Sequence, residues 1–576
     1  MKQFNMKFFA MVVLSIALLS RCGSVKMPEK YDVTPKVLET HGGKVSVAIK
    51  AQVQTKAIPK KVKIEATPYL KYAGKTLDLK TKTIKGEKAE GDGDVIKNKE
   101  GGEITYSDQF NYTPEMRVAE LWLKVKAVKG KKSKDLPEVK LADGIIYTST
   151  RVDGDGKVEL ADNGYQKETI LSKSANIYFA YNKHDLNFSL ALNKNKANKA
   201  IIDSLEMFIN NGWKIKDISI NAWASPEGEQ SINENLSKDR GKTTNTYVLD
   251  ILKKLSKVKK SKVAIKDPTK DVTFNVTPKG EDFDGFMKAL NASNIKDKHA
   301  IENVITSQLS KAQREKRIRD MTVIYQEVED MLSVLRRGEI VVNCFEPKKT
   351  DEQIANLSTS HPDSLDVKEL LYAATLTQDL NIKAKIYKSA ITVYPNNWKA
   401  YNNAGYVSIL QGNIDDAVSN LEKANQLDPN NGQVLNNLGI CALYKKDYAK
   451  AESNFQAAQG KGIDEKYNLG ILSITKGDYA AAVSSFAGEK CKYNIALAQL
   501  LNGTAEAASA TLDCATKTAA VYYLSAVVGA RTGNDNMVFN NLKKAIQADA
   551  KYREEAKIDR EFLKYFANAE FQNAIK

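Results

Sequence analysis

Asn403, Asn437, Asn468 and Asn494 each stand two residues before a small residue: Gly405, Gly439, Gly470 and Ala496. A side-chain amide carries both a donor and an acceptor, and nearly every residue of an extended peptide offers the same pair. A ladder of amides therefore suits main-chain recognition. The same residues would equally serve hydrogen bonds between neighbouring helices, or simple solvation. A second chemistry lies in the thiols. Cys491 and Cys514 flank a segment that reads as helix (492–501), turn (Asn502-Gly503-Thr504) and helix (505–512). An antiparallel hairpin would bring both thiols to one end. A bridge needs Cα atoms within about 7 Å and helices pack ~8–10 Å apart, so a disulfide and two free buried thiols both stand as readings. Cys441 falls mid-helix and reads as a core thiol. His41, His184, His299 and His361 are far apart and form no ligand spacing. There is no G-x-S-x-G, P-loop or dinucleotide fingerprint. The chain reads as non-catalytic, with no cofactor and no metal.

The elements that must position the asparagines repeat. Gly405, Ala417, Leu421, Ala424 and Pro429 are answered, thirty-four residues after Gly405, by Gly439, with Ala451, Phe455 and Ala458 in matching places. A shortened copy follows at Leu469-Gly470, Ala482 and Phe486, and the turns GNIDDA, KDYAKA and GDYAAA recur between helices. A looser copy ends at Pro395, two more span about 492–515 and 519–549, and the tail from Tyr552 to Phe566 reads as a capping helix. This pattern resembles the tetratricopeptide repeat (TPR). The resemblance implies an all-α solenoid over 365–576, in which each helix pair buries its apolar face against the next. It also implies a concave groove where Asn403, Asn437, Asn468 and Asn494 bond the backbone of a protein partner, with Tyr406, Tyr444 and Tyr467 adding apolar contacts.

Upstream, Ile218, Ile220 and Ala222 alternate with polar residues as in a half-buried strand. Ser225-Pro226-Glu227-Gly228 makes a turn, and a long helix runs from about 230 to 255. Strand, SPEG turn and the N-x-x-L-S-x-x-R of the helix (Asn233, Leu236, Ser237, Arg240) together resemble the OmpA-like peptidoglycan-binding domain. Residues 177–181 are similar to its first strand, 197–211 to its first helix, and 336–342 (RRGEIVV) to its last strand. The resemblance implies an α+β domain over 174–344 with a helical insert at about 262–334. In that family an aspartate and an arginine hold the diaminopimelate residue. The arginine matches Arg240, the aspartate position holds Ser225, Glu227 follows two residues later as a partial substitute, and Arg337 joins the candidates. The implied peptidoglycan site is a weakened one, and the alternative is a structural Arg240 that only bridges helix to strand.

Before this domain the period is two. Val45, Val47, Ile49, Ala51 and Val53 alternate with mostly polar residues, as do Val62, Ile64 and Ala66 and then Leu121, Leu123 and Val125. Gly/Asp/Lys turns separate them, which predicts an all-β sandwich over 34–150. Asp153-Gly154-Asp155-Gly156 looks faintly like a calcium loop, but Lys157 at the fifth position and no glutamate at the twelfth make a hairpin turn the better reading. Residues 151–173 and 345–364 read as linkers. At the N-terminus, Lys2 and Lys7 flank a short apolar run that suits a signal segment over 1–21. Leu19-Ser20-Arg21-Cys22 resembles a lipobox, with Arg21 where a small residue is usual. The resemblance implies acylation of Cys22, an uncleaved anchor being the alternative, and then a tether over 22–33.

The whole is multidomain, and its formal charge of +16 is spread as lysine over solvated faces with no nucleic-acid motif. The expected function is that of a cell-envelope lipoprotein, lipid-anchored in the outer membrane on the periplasmic face, which tethers or scaffolds. Peptidoglycan, a protein partner in the solenoid groove and the membrane are its expected partners. The alternative is a subunit of an outer-membrane secretion or surface-assembly complex whose OmpA-like domain no longer binds peptidoglycan.

Overall fold

The computed structural model describes residues 25–576, except 228, 259–260, 297, 308 and 325. The signal segment and the acylation site expected at Cys22 lie outside the described residues. The chain divides into two compact units, one formed by residues up to Asn163 together with Thr377–Lys576, the other by Gly164–Leu376.

In the first unit, alternating apolar residues make strands that bury one face. These are β1 (Tyr31–Thr34), β2 (Val37–His41), β3 (Lys44–Val53), β4 (Lys63–Tyr72), β5 (Lys75–Asp78), β6 (Lys82–Gly86), β7 (Asp94–Ile96), β8 (Gly102–Asn111), β9 (Ala119–Lys129) and β10 (Lys132–Ile146). β3 pairs antiparallel with β1, β2 and β8. β10, β9, β4, β6 and β7 follow one another in a second layer, with β5 on β4. β2 joins the layers, antiparallel to β3 through Thr40–Val45 and parallel to β10 through Leu38–Gly144. Val45, Val47 and Ile49 of β3 share one core with Leu70 of β4 and Leu121 of β9. Truncating any of these buried Leu or Ile side chains to Ala costs about 2–5 kcal/mol.

The helical part of this unit is an array of hairpins. Trp398–Leu410 pairs with Ile414–Leu427, Gly432–Tyr444 with Tyr448–Gln459, Lys466–Lys476 with Tyr479–Ser485, Tyr493–Leu501 with Ala505–Cys514, and Ala519–Thr532 with Asp535–Ala548. Asn397, Asp447 and Asp478 cap their helices by accepting from Ala400, Lys450 and Ala481 N–H groups. The small residues of the repeat let the two helices of a pair meet. A Cβ on Gly405 would strike Leu421, one on Gly439 would strike Phe455, and one on Gly470 would strike Phe486. The tail continues as Lys551–Ile558, a 3-10 turn at Arg560–Tyr565 and Ala569–Ala574.

The second unit has four strands, β11 (Ile170–Tyr178), β12 (Ile215–Ala224), β13 (Phe274–Glu281) and β14 (Arg337–Phe345), in the order β11-β14-β12-β13. β12 and β13 run parallel and the other pairs antiparallel. Helices Lys196–Asn210 and Gln230–Lys257 share one core with the sheet, built from Leu205, Ile218, Ile220, Leu252, Ile340 and Val342. Four helices between Phe283 and Ser333 have a core of their own around Phe286, Leu290, Ile301 and Leu332.

Several expectations are corrected, among them the start of the second domain, since β11 begins at Ile170 inside the linker predicted over 151–173. The insert predicted over 262–334 contains β13, which completes the sheet, so the added helices begin at Phe283. The polar stretch 345–364 holds helix Asp351–Ser360, opened by a capping box of Thr350 and Gln353, and the second unit runs on to Leu376. The array therefore starts at 377 rather than 365. Finally, Asp153-Gly154-Asp155-Gly156 is no hairpin turn, and residues 151–163 belong to the first unit. They form no ladder with themselves and run as a strap along the helical array.

Candidate functional site

The asparagine ladder is occupied by the chain itself. At Asn403, the Ala161 N–H donates to Oδ1 at 2.8 Å and Nδ2 donates back to the Ala161 carbonyl at 3.1 Å. Asn437 does the same for Glu159, both bonds at 2.8 Å. Asn468 does so for Lys157, at 2.8 and 3.1 Å, and Asn494 for Asp153, both at 2.9 Å. The residues gripped are 153, 157, 159 and 161. Period-two spacing is what an extended strand presents to one side. The missing rung is supplied by a side chain: Asp155 accepts from Asn494 Nδ2 at 2.6 Å and from the Tyr467 hydroxyl at 2.5 Å.

Two further asparagines were not singled out from the sequence. Asn402 Nδ2 donates to the Glu159 carbonyl at 3.2 Å, and Asn436 Nδ2 to the Lys157 carbonyl at 3.0 Å. Their own carbonyls accept from Asn437 and Asn468, at 3.0 and 2.7 Å. The ladder thus bonds both the strap and the neighbouring repeats. The doubled Asn402-Asn403 and Asn436-Asn437, each ahead of the small residue, were the available signal. Side chains add register. The Lys157 ammonium pairs with Glu489 at 2.8 Å, Lys492 lies over the Tyr467 ring at 3.8 Å, and the Tyr444 hydroxyl donates to the Gly154 carbonyl at 2.9 Å. A Cβ on Gly154 would collide with that hydroxyl. Glu465 is fully buried beside the Asn468 rung. Burial chiefly, and then the negative charge of Glu159, push its carboxyl up to about 7 against the opposing hydrogen bond from Asn468.

The start of the strap is fastened to the far end of the array. Arg151 donates to Glu555 at 2.8 Å, to Asp559 at 2.9 Å and to the Tyr147 hydroxyl at 3.1 Å, and lies 4.4 Å over the Tyr523 ring. Just before it, Thr148 donates to Glu561 at 2.5 Å, and Arg531 bridges Glu561 and Glu39. Cys491 and Cys514 are joined as a disulfide with Cα atoms 5.0 Å apart, in the loop that carries Glu489 and Lys492 and at the end of the partner helix. Cys441 and Cys344 are free and buried.

One family model matches, the tetratricopeptide repeat, over residues 399–431. The helical array carries a TPR. No curated protein matches the chain. Among solved structures the chain is similar to PilW, titled a widely conserved type IV pilus biogenesis factor, at 16% identity over 39% of this chain and 99% of that one, TM-score 0.29. It is also similar to a TPR protein of Parabacteroides merdae at 14% identity, over 43% of this chain and 98% of that one, TM-score 0.30. The groove expected to take a partner protein holds residues 153–161 of this chain. One physical reason is tethering: a segment of the same polypeptide reaches the groove without the translational and rotational cost that a separate partner pays.

In the second unit, the residues expected to face peptidoglycan are turned inward. Arg240 is 1% exposed. Its Nε, Nη1 and Nη2 donate to the carbonyls of Lys183, Trp223 and Ala180 at 3.0, 3.0 and 3.1 Å. Burial, and then the positive charge of Arg336, pull its guanidinium down to about 9. The expectation of a fork open to a carboxylate is therefore corrected: the fork is spent on backbone. Ser225 donates to Glu227 at 2.6 Å, and both accept from Arg336, which also reaches Glu329. Arg337 is committed too, to Asp282 at 2.6 Å and to the Trp223 ring at 4.2 Å. Arg336, read from the sequence only as the first of the arginine pair ahead of the last strand, organises this cluster.

Proposed function

We propose that this chain is a non-catalytic scaffold of the bacterial cell envelope, lipid-anchored at Cys22 in the outer membrane on the periplasmic side. The observation that carries the scaffold reading is the amide ladder. Four asparagines bond main-chain N–H and C=O groups of the chain's own strap, so the recognition groove serves to bind the β-rich region and the TPR array into one body. Such a body offers fixed outer surfaces for docking other proteins. Hydrogen exchange across residues 151–163 tests it. In wild type the N–H groups of Asp153, Lys157, Glu159 and Ala161 should exchange slowly, and Asn437→Ala with Asn468→Ala should release those of Lys157 and Glu159. Fast exchange in wild type would refute the clasp.

For the second unit, the sheet order β11-β14-β12-β13 and the long helix after the Ser225–Glu227 turn support the OmpA-like resemblance. The spent donors of Arg240 and the serine at position 225 favour the second reading, a subunit of an outer-membrane secretion or surface-assembly complex whose OmpA-like domain does not bind peptidoglycan. Sedimentation of the full chain with purified sacculi separates this from tethering.

A further inference from the structure

A cavity of about 570 Å³ opens where the β-rich region, the strap and the TPR array converge. That volume is in the ~300–1,000 Å³ range of small-molecule sites. Its array side is apolar, formed by Ile440, Leu443 and Ile471. Gly154 and Gly156 of the strap also line it, so no strap side chain fills the space from these two positions. The side facing the β-rich region carries Arg117, and the array contributes the exposed Lys446 to the lining.

The charges in this cavity are unbalanced. Among the described residues, neither Arg117 nor Lys446 lies within ion-pair distance of a carboxylate, although Asp153 is also on the wall. Arg117 Nε is shut off from solvent, and the side chain is hydrogen-bonded to Tyr112, a neutral group on the same wall. The Arg117 guanidinium lies 4.9 Å over the Tyr147 ring, which fixes its plane. A planar guanidinium stacked on Tyr147, with no carboxylate partner and next to an apolar wall, matches a carboxylate carried on an apolar body.

The geometry points to a binding site for a small amphipathic carboxylate, its anionic end on Arg117 with Lys446 at the rim, its apolar part against Ile440, Leu443 and Ile471. The inference goes beyond the scaffold reading and does not depend on what the second unit binds. It adds a ligand that would sit against the strap and favour its seated state.

Isothermal titration of the full chain tests it. The probes are dodecanoate below its micellar concentration, 4-phenylbutanoate, and dodecyltrimethylammonium as the cationic control. One carboxylate should bind with one-to-one stoichiometry, and at least tenfold more tightly than the cation; the better of the two carboxylates identifies the apolar part as aliphatic or aromatic. Arg117→Gln should weaken that binding at least tenfold. Leu443→Trp, which fills the apolar side, should abolish it while Asp153 and Lys157 N–H groups stay protected from exchange. Equal binding of anion and cation, no loss in a folded Arg117→Gln chain, or no binding of either carboxylate would overturn the proposal. Protected strap amides together with absent carboxylate binding would sink this site and leave the clasp intact.

Discussion

Asn437 grips Glu159 from both sides of the residue, taking its N–H on Oδ1 and giving Nδ2 to its carbonyl, each at 2.8 Å. Asn437→Ala leaves the Glu159 N–H of the strap without its partner and its carbonyl with only the longer bond from Asn402. Such a loss costs about 1–3 kcal/mol. The expected result is a lowered thermal midpoint, together with faster hydrogen exchange confined at first to residues 157–161.

Gly154 is required by Tyr444 rather than by its own backbone, because any Cβ there meets the tyrosine hydroxyl. Gly154→Ala should push the half-exposed Tyr444 ring aside and break its hydrogen bond to the residue-154 carbonyl, a loss of about 0.5–1.5 kcal/mol. In a Tyr444→Ala chain the same substitution should cost little. A double-mutant cycle measured by denaturant unfolding reads the coupling directly, and additive effects would contradict the contact.

Arg151→Ala should be among the most damaging single changes in the first unit. It strips the guanidinium from Asp559, whose side chain is 1% exposed, and from Glu555. Removing one partner of a buried ion pair costs about 3–5 kcal/mol. Circular dichroism melts should show this, and limited proteolysis should find new cleavage near residues 147–153.

Glu465 should give the clasp a dependence on pH. Its carboxyl rises from an ordinary 4.5 to about 7 in the folded chain. The folded state therefore binds more protons than the unfolded state between those values. The stabilising contribution is complete below about pH 4.5 and is lost as pH rises through about 7. Glu465→Gln keeps an uncharged side chain there at all pH values. Its thermal midpoint relative to wild type should climb between pH 5 and pH 8, by the equivalent of about 2–3 kcal/mol. A constant difference would refute the assignment.

Arg240→Ala should unfold the second unit more readily, by about 3 kcal/mol or more, since three buried carbonyls lose a charged donor. Arg240→Lys should not rescue it, because an ammonium cannot span three acceptors in one plane. Ser225→Asp should fail to confer sedimentation with sacculi, because Glu227 and Arg336 already fill its surroundings.

The sequence was most legible where a local rule repeats. Gly405, Gly439 and Gly470, each opposed by Leu421, Phe455 or Phe486 half a repeat later, announce helix pairs that must touch closely. The asparagines at one fixed place on the inner helices announce a hydrogen-bonding face. What they bond was hidden, since the strap lies 242–341 residues away along the chain. Asp153-Gly154-Asp155-Gly156 has the composition of a turn, and only Tyr444 and Asn494 explain its extended form. β13 was missed because Phe274–Glu281 has an exposed surface and contains Pro278, the marks of an edge strand. Arg240 misled for a different reason: the guanidinium fork that suits a carboxylate suits converging carbonyls equally well.

The strap also imposes an order on the making of this protein. Residues 153–161 leave the ribosome well before the rungs that receive them: Asn403 follows Ala161 by 242 residues, and Asn494 follows Asp153 by 341. At a synthesis rate of about 5–20 residues per second, the strap waits for tens of seconds with its main-chain groups open to water or to any chaperone present. The β-rich region can complete its sheets in that interval, but the fastening of Arg151 to Glu555 and Asp559 must wait for residues 404 and 408 positions further along the chain. A chain truncated anywhere in the final repeats would therefore lose structure near its beginning.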